Sequence, residues 1–226
     1  MTASSHPKRF AIHAHHRIAR YELEDLRAYA SLASSLMAKQ AKRHDEYVDD
    51  AVSKMPPEER EAYFENNSDT YDLLVRRFPN QQQQSLIVLA YSVLEDQLVR
   101  IAESLLKSKK IGLTLKNLAG KSPFQKSRTV ITAIAGLKVK QALWEDVDAY
   151  RLVRNAVVHN LGYFAETPPP LVEKLLQQKP TEIKYSDAGG LIVEPTFVLG
   201  FLSASGALLE SIFEQWLAVE QGNAAS

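Results

Sequence analysis

The chain has 226 residues, 45% of them hydrophobic, which is enough for one well-buried domain with a smaller appended segment. It contains no cysteine, and this excludes disulfides, thiolate metal sites and cysteine nucleophiles. Formal net charge is zero, so the chain as a whole is not an evident polyanion binder.

From about Ile12 to Met55 the residues Ala19, Leu23, Leu26, Ala30, Ala33 and Met37 step by four and three with no proline or glycine between them. That period predicts one long amphipathic helix ended by Pro56 and Pro57. The acidic stretch Glu58 to Glu65 predicts a short second helix running into a turn at Asn66-Asn67-Ser68. Asn80 is placed to cap a third helix, whose first turn is the four glutamines 81 to 84 and whose stripe is Leu86, Ala90, Val93, Gln97, Ile101 and Leu105. This helix is expected to reach about Lys109. Gly112, Gly120 and Pro123 mark a loop, Phe124 to Ala135 a shorter helix stopped by Gly136, and Lys140 to Leu161 the most regular helix, followed by Pro168-Pro169-Pro170. Glu182 to Tyr185 and Leu191 to Val193 flank a Ser-Asp-Ala-Gly-Gly turn and predict a β-hairpin. Pro195 opens a final helix to about Val219, with Phe197, Phe201, Leu208 and Ile212 on one side and Gly200, Ala204 and Ala207 leaving room for a close neighbour. Trp144 and Trp216 fall at core positions. The expected organisation is a helical extension over residues 1–79 packed on a bundle over residues 80–226, the two forming one unit.

The charge is unevenly spread. Nine lysines and arginines and no acidic residue lie between Ser104 and Trp144, whereas ten acidic residues face only Lys54 and Arg60 between Asp45 and Asp72. Lys121, Lys126, Arg128, Lys138 and Lys140, with Arg151, are the candidate contacts for an RNA backbone. The competing reading is a pair of solvated helix faces. The segment after Met1 lacks an apolar core, and the run Leu191 to Leu202 is broken by Glu194 and Pro195, so a cytoplasmic protein with no membrane span is expected. His13, His15 and His16 have no nearby carboxylate before Glu22 and read as a frayed, solvated helix start rather than a metal site. Glu58, Glu59, Glu61, Asp49 and Asp50 read as solvated faces. No metal or cofactor is implied.

The most informative local pattern is Arg151-Leu152-Val153-Arg154-Asn155-Ala156-Val157-Val158-His159-Asn160. Arginine holds phosphate bidentately and stays charged, and histidine exchanges protons near neutrality. Spacing alone discriminates little, since Arg9 precedes His15 and His16 at similar distances. Context separates them: Leu143, Val147, Tyr150, Arg154, Val157 and Leu161 form one helical stripe, so Arg154 occupies a core position. A guanidinium there needs a carboxylate such as Glu95 or Asp148, a partner subunit or a bound anion. Arg154 and His159 are rotated by roughly 140° and offset by about 7.5 Å along the axis, so one helix presents them poorly and two helices across a symmetry axis would present them well.

Helices in this order, with Arg-Asn-x-x-x-His near the end of a late helix, a hairpin before the last one, and Tyr91-Ser92-Val93-Leu94-Glu95-Asp96-Gln97-Leu98 as an apolar helix with central acids, resemble the HEPN superfamily over roughly Asn80 to Val219. The resemblance implies an all-α antiparallel bundle with a long N-terminal helix and a small hairpin. It also implies a homodimeric, metal-independent endoribonuclease of the toxin–antitoxin or antiviral-defence kind. In that reading His159 exchanges a proton with the 2′-hydroxyl or the leaving 5′-oxygen, Arg154 stabilises the pentacoordinate phosphate, and Asn155 orients the histidine or binds phosphate, leaving a cyclic phosphate. An inhibitory antitoxin or a nucleotidyltransferase are the partners it suggests besides RNA. The second reading is a non-catalytic dimer that binds nucleotide, RNA or a protein.

Overall fold

The computed structural model describes residues 5–164, 167–186 and 189–225. Helix α1 spans Ser5–Ser53, α2 Pro57–Asp72, α3 Phe78–Ser108, α4 Pro123–Thr129, α5 Gln141–Asn160, α6 Pro170–Gln178 and α7 Pro195–Ala225. Strands β1 (Ile183–Tyr185) and β2 (Leu191–Val193) pair antiparallel, Lys184 opposite Ile192. The fold is all-α apart from that hairpin, as expected; two of the hairpin's turn residues, Asp187 and Ala188, lie outside the described residues.

Helices α3 and α7 form the centre, each packing against both α1 and α5. Leu94, Leu98 and Ile101 of α3 meet Phe197, Phe201 and Ile212 of α7 in one core that excludes solvent completely at these positions. Trp144 and Trp216 are buried as expected. Gly200 lets α5 approach, since a Cβ there would stand 3.1 Å from the Tyr150 hydroxyl. Pro195–Gln221 of α7 is long and apolar enough to cross a membrane, with a mean hydropathy of 1.6, and it is half buried as the central helix of the bundle.

Several local expectations are corrected. The Asn66-Asn67-Ser68 turn does not exist, because α2 runs through it. Asn67 Nδ2 donates to the Tyr63 carbonyl at 2.8 Å and the Ser68 hydroxyl to the Glu65 carbonyl at 2.8 Å, so both side chains bond back into the preceding turn instead of breaking it. Asn80 caps nothing. A π-helical turn, Leu73–Arg77, joins α2 to α3 directly, and the boundary at residue 79 falls inside this continuous run. Pro79 explains the wide turn: a proline within a regular α-helix lacks one hydrogen bond and collides with the carbonyl four residues earlier. Helix α6 was not expected; Pro170 starts it with a preset φ and one fewer orphan donor. A second π turn, Val130–Ile134, extends α4 to Gly136, which takes φ +75°.

Of the histidines near the start of α1, His15 and His16 are docked, not frayed, and His13 is exposed. His15 stacks on Trp216 with centroids 6.4 Å apart and shares a 3.1 Å hydrogen bond with Ser104, while His16 pairs with Glu210 at 2.6 Å. Burial, then the nearby Arg100 charge, hold the His15 pKa below its ordinary value.

Candidate functional site

Helix α5 runs antiparallel to α3, so its last two turns lie beside Gln84 and Tyr91. Val147, Tyr150, Val153 and Ala156 bury its inner face, and the stripe then surfaces: Arg154 and Val157 are half-buried and Leu161 is 82% exposed. The stripe does not continue to Leu161 as a core row, because the helix ends there. Leu161 takes φ +52° and Gly162 φ +87°, and the Gly162 amide closes the end on the Ala156 carbonyl at 3.0 Å.

Arg154 is therefore partly sheltered at the bundle's edge. Its guanidinium lies over the Tyr91 ring, 5.3 Å from the centroid, and its Nη1 donates to Asn155 Oδ1 at 3.1 Å. Its Nε is buried without a hydrogen-bond partner, and no carboxylate lies within 4 Å of it among the described residues. Neither acidic residue expected to neutralise it does so. Glu95 accepts a 3.1 Å hydrogen bond from the Tyr91 hydroxyl, and Asp148 accepts a 2.6 Å bond from Arg151 Nε. Burial, reinforced by Glu95, pushes the Tyr91 pKa far above its ordinary range against the opposing pull of Arg151 and Arg154, so the platform under Arg154 is a neutral phenol.

His159 sits in the last turn of α5, exposed and without a hydrogen bond among the described residues. Asn155 is spent on Arg154 here, not on His159. Within one chain the structure thus gathers Arg154, Asn155, Glu95, Asp148 and Arg151 around Tyr91, and leaves His159 about 7.5 Å further along the axis.

Of the basic residues expected at an RNA backbone, Arg151 belongs to this cluster. Lys138 and Lys140 are exposed at the start of α5, Lys140 about 21 Å along the axis from Arg154. Arg128 is occupied, lying 5.4 Å from the Trp144 ring centroid and donating to Gln141 at 2.6 Å; Lys121 is exposed and Lys126 half-buried. A cleft of about 940 Å³ opens between the middle of α1, the π turn and the hairpin, with Met37, Arg77, Asn80 and Tyr185 among its walls; Arg154 and His159 do not line it. Among the described residues no group of three His, Asp or Glu side chains is placed to hold a metal ion.

Tyr91 is the member of the cluster that sequence reasoning missed. Its signal was its spacing of four from Glu95 on an apolar helix. Comparison with protein-family models, with curated proteins and with solved structures finds no match.

Proposed function

We propose that the protein is a metal-independent endoribonuclease of the HEPN type, acting on RNA in the cytoplasm. The observation that carries this reading is Arg154: a sheltered guanidinium, oriented by Tyr91 and Asn155, with no carboxylate among the described residues to neutralise it. Such a group costs free energy unless an anion or a partner completes it, and an RNA phosphate supplies that charge. His159, exposed at the adjacent helix end, is the proton-exchanging group nearby on the same helix. Arg154 would stabilise the charge that develops on the pentacoordinate phosphorus, and His159 would take the 2′-hydroxyl proton or give one to the 5′-oxygen. A second copy facing α5 would bring the two groups into one cleft.

Purified protein incubated with a structured RNA in EDTA tests this. Cleavage leaving 2′,3′-cyclic phosphate ends, lost in both Arg154→Ala and His159→Ala, is expected. Intact RNA with folded parent protein, or unchanged cleavage by either variant, overturns it.

A non-catalytic RNA- or protein-binding role is favoured by one observation. Arg154 turns inward to Tyr91 while His159 points to solvent, and Asn155 does not join them. Retained RNA binding without cleavage, weakened by Arg154→Ala and indifferent to His159→Ala, is its signature.

A further inference from the structure

Helix α1 has two apolar faces. The first, carrying Ile12, Ala19, Leu23, Ala30 and Ala33, is buried against the bundle. The second lies about 100° round the axis and carries Ile18, Tyr21, Tyr29, Leu32 and Leu36, each between 44% and 59% exposed. Steps of three, eight, three and four keep these five on one face over roughly 27 Å. Scattered exposed apolar residues are ordinary, but a row on one helix face, here broken once by Asp25, marks an interaction surface.

The charges beside the row say what covers it. Arg17, Asp25, Lys39 and Arg43 flank or interrupt it, and none of them forms an ion pair within the chain among the described residues. Their order is basic, acidic, basic, followed by the acidic Glu46 and Asp50 on the same side of the helix. When the helix is laid antiparallel on a copy of itself with Leu32 at the two-fold axis, residues whose numbers sum to about 64 face each other. Asp25 then meets Lys39, Arg17 meets Glu46, Tyr21 meets Arg43, and Tyr29 meets Leu36. Asp25 and Lys39 oppose with opposite charge and the centre around Leu32 is apolar, the self-complementarity that an isologous interface requires, while towards the ends Tyr21 and Ile18 face Arg43 and Glu46. In parallel register the same charges would face their own copies.

We infer that α1 is a homodimerisation helix, pairing antiparallel with α1 of a second copy about Leu32. This goes beyond the ribonuclease reading and stands or falls separately from it.

The absence of cysteine makes the register measurable by single-cysteine cross-linking, since a disulfide needs Cα atoms within about 7 Å. All the positions changed are exposed in the single chain, so the fold tolerates them. Leu32→Cys is expected to oxidise to a covalent dimer. Ala28→Cys and Leu36→Cys, each displaced about 12 Å from its own symmetry mate, are expected to stay uncross-linked alone and to cross-link with each other when mixed. Asp25→Lys is expected to weaken the dimer about tenfold in sedimentation equilibrium, and Asp25→Lys combined with Lys39→Asp to restore it. A monomeric parent protein, no cross-link at position 32, self-cross-linking at all three positions, or no rescue by the charge swap overturns the inference.

Discussion

Arg154 and its platform are a unit rather than a lone cation. A lysine at this position keeps the charge but not the planar stacking or the forked donors, so Arg154→Lys is expected to lose most cleavage in the RNA assay, close to the loss in Arg154→Ala. Gly162 is required for a different reason. Its φ is +87°, and a Cβ there would stand 2.9 Å from Gln84 Nε2, which is itself held 2.9 Å from the Leu191 carbonyl. Gly162→Ala is expected to cost about 1–2 kcal/mol in denaturant unfolding. His15 predicts a pH dependence with a definite sign. Its folded pKa lies below the unfolded value near 6.5, so the unfolded chain takes up its proton first. Stability is then lost as pH falls through 6.5 towards the folded pKa, and His15→Gln is expected to flatten that part of the stability–pH curve relative to the parent.

At the level of elements, the hairpin is fastened to α3 by side chains. Asn80 donates to the Leu191 carbonyl at 3.0 Å and accepts from the Val193 amide at 2.9 Å, and Gln84 donates to the same carbonyl. Asn80→Ala strands the Val193 amide, while Gln84 still serves the Leu191 carbonyl; a loss of about 1–3 kcal/mol is expected, with faster hydrogen exchange at the Val193 amide as the local readout. This fastening also explains what could be read from the sequence. Helices α1, α3, α5 and α7 were legible because periodic apolar residues such as Leu23, Leu94, Val147 and Phe201 are committed to a core whatever surrounds them. Asn67, Ser68 and Asn80 were not, because short polar side chains bond equally well within a helix, at its cap or across to another element, and tertiary context decides. The docking of His15 on Trp216 had no local signal at all. At the candidate site, the odd position of Arg154 was visible as a break in the stripe. Its true neighbours were not, since choosing Tyr91 over Glu95 depends on how α3 and α5 are rotated against each other.

For the whole molecule, α1 and α5 flank the central pair α3 and α7 on opposite sides. A dimer joined through α1 leaves both α5 helices on the outside, so a site shared between two α5 helices needs a second, separate contact. Two isologous faces on opposite flanks build a string of alternating contacts rather than a closed pair. Leu32→Asp separates the two: it is expected to reduce the mass seen by light scattering while leaving RNA cleavage per chain unchanged. Cleavage lost together with the α1 contact would mean that the active unit is assembled through α1.

The wide turn at Leu73–Arg77 ties the fate of two neighbouring positions together over sequence change. Taking one residue out of that turn converts the run into plain α-helix with Pro79 inside it, at a cost of about 3 kcal/mol. Once Pro79 is replaced by alanine, the same deletion has nothing to collide with. A one-residue shortening here is thus harmful in one genetic background and silent in the other, and the order in which the two changes arise decides whether the shorter chain survives.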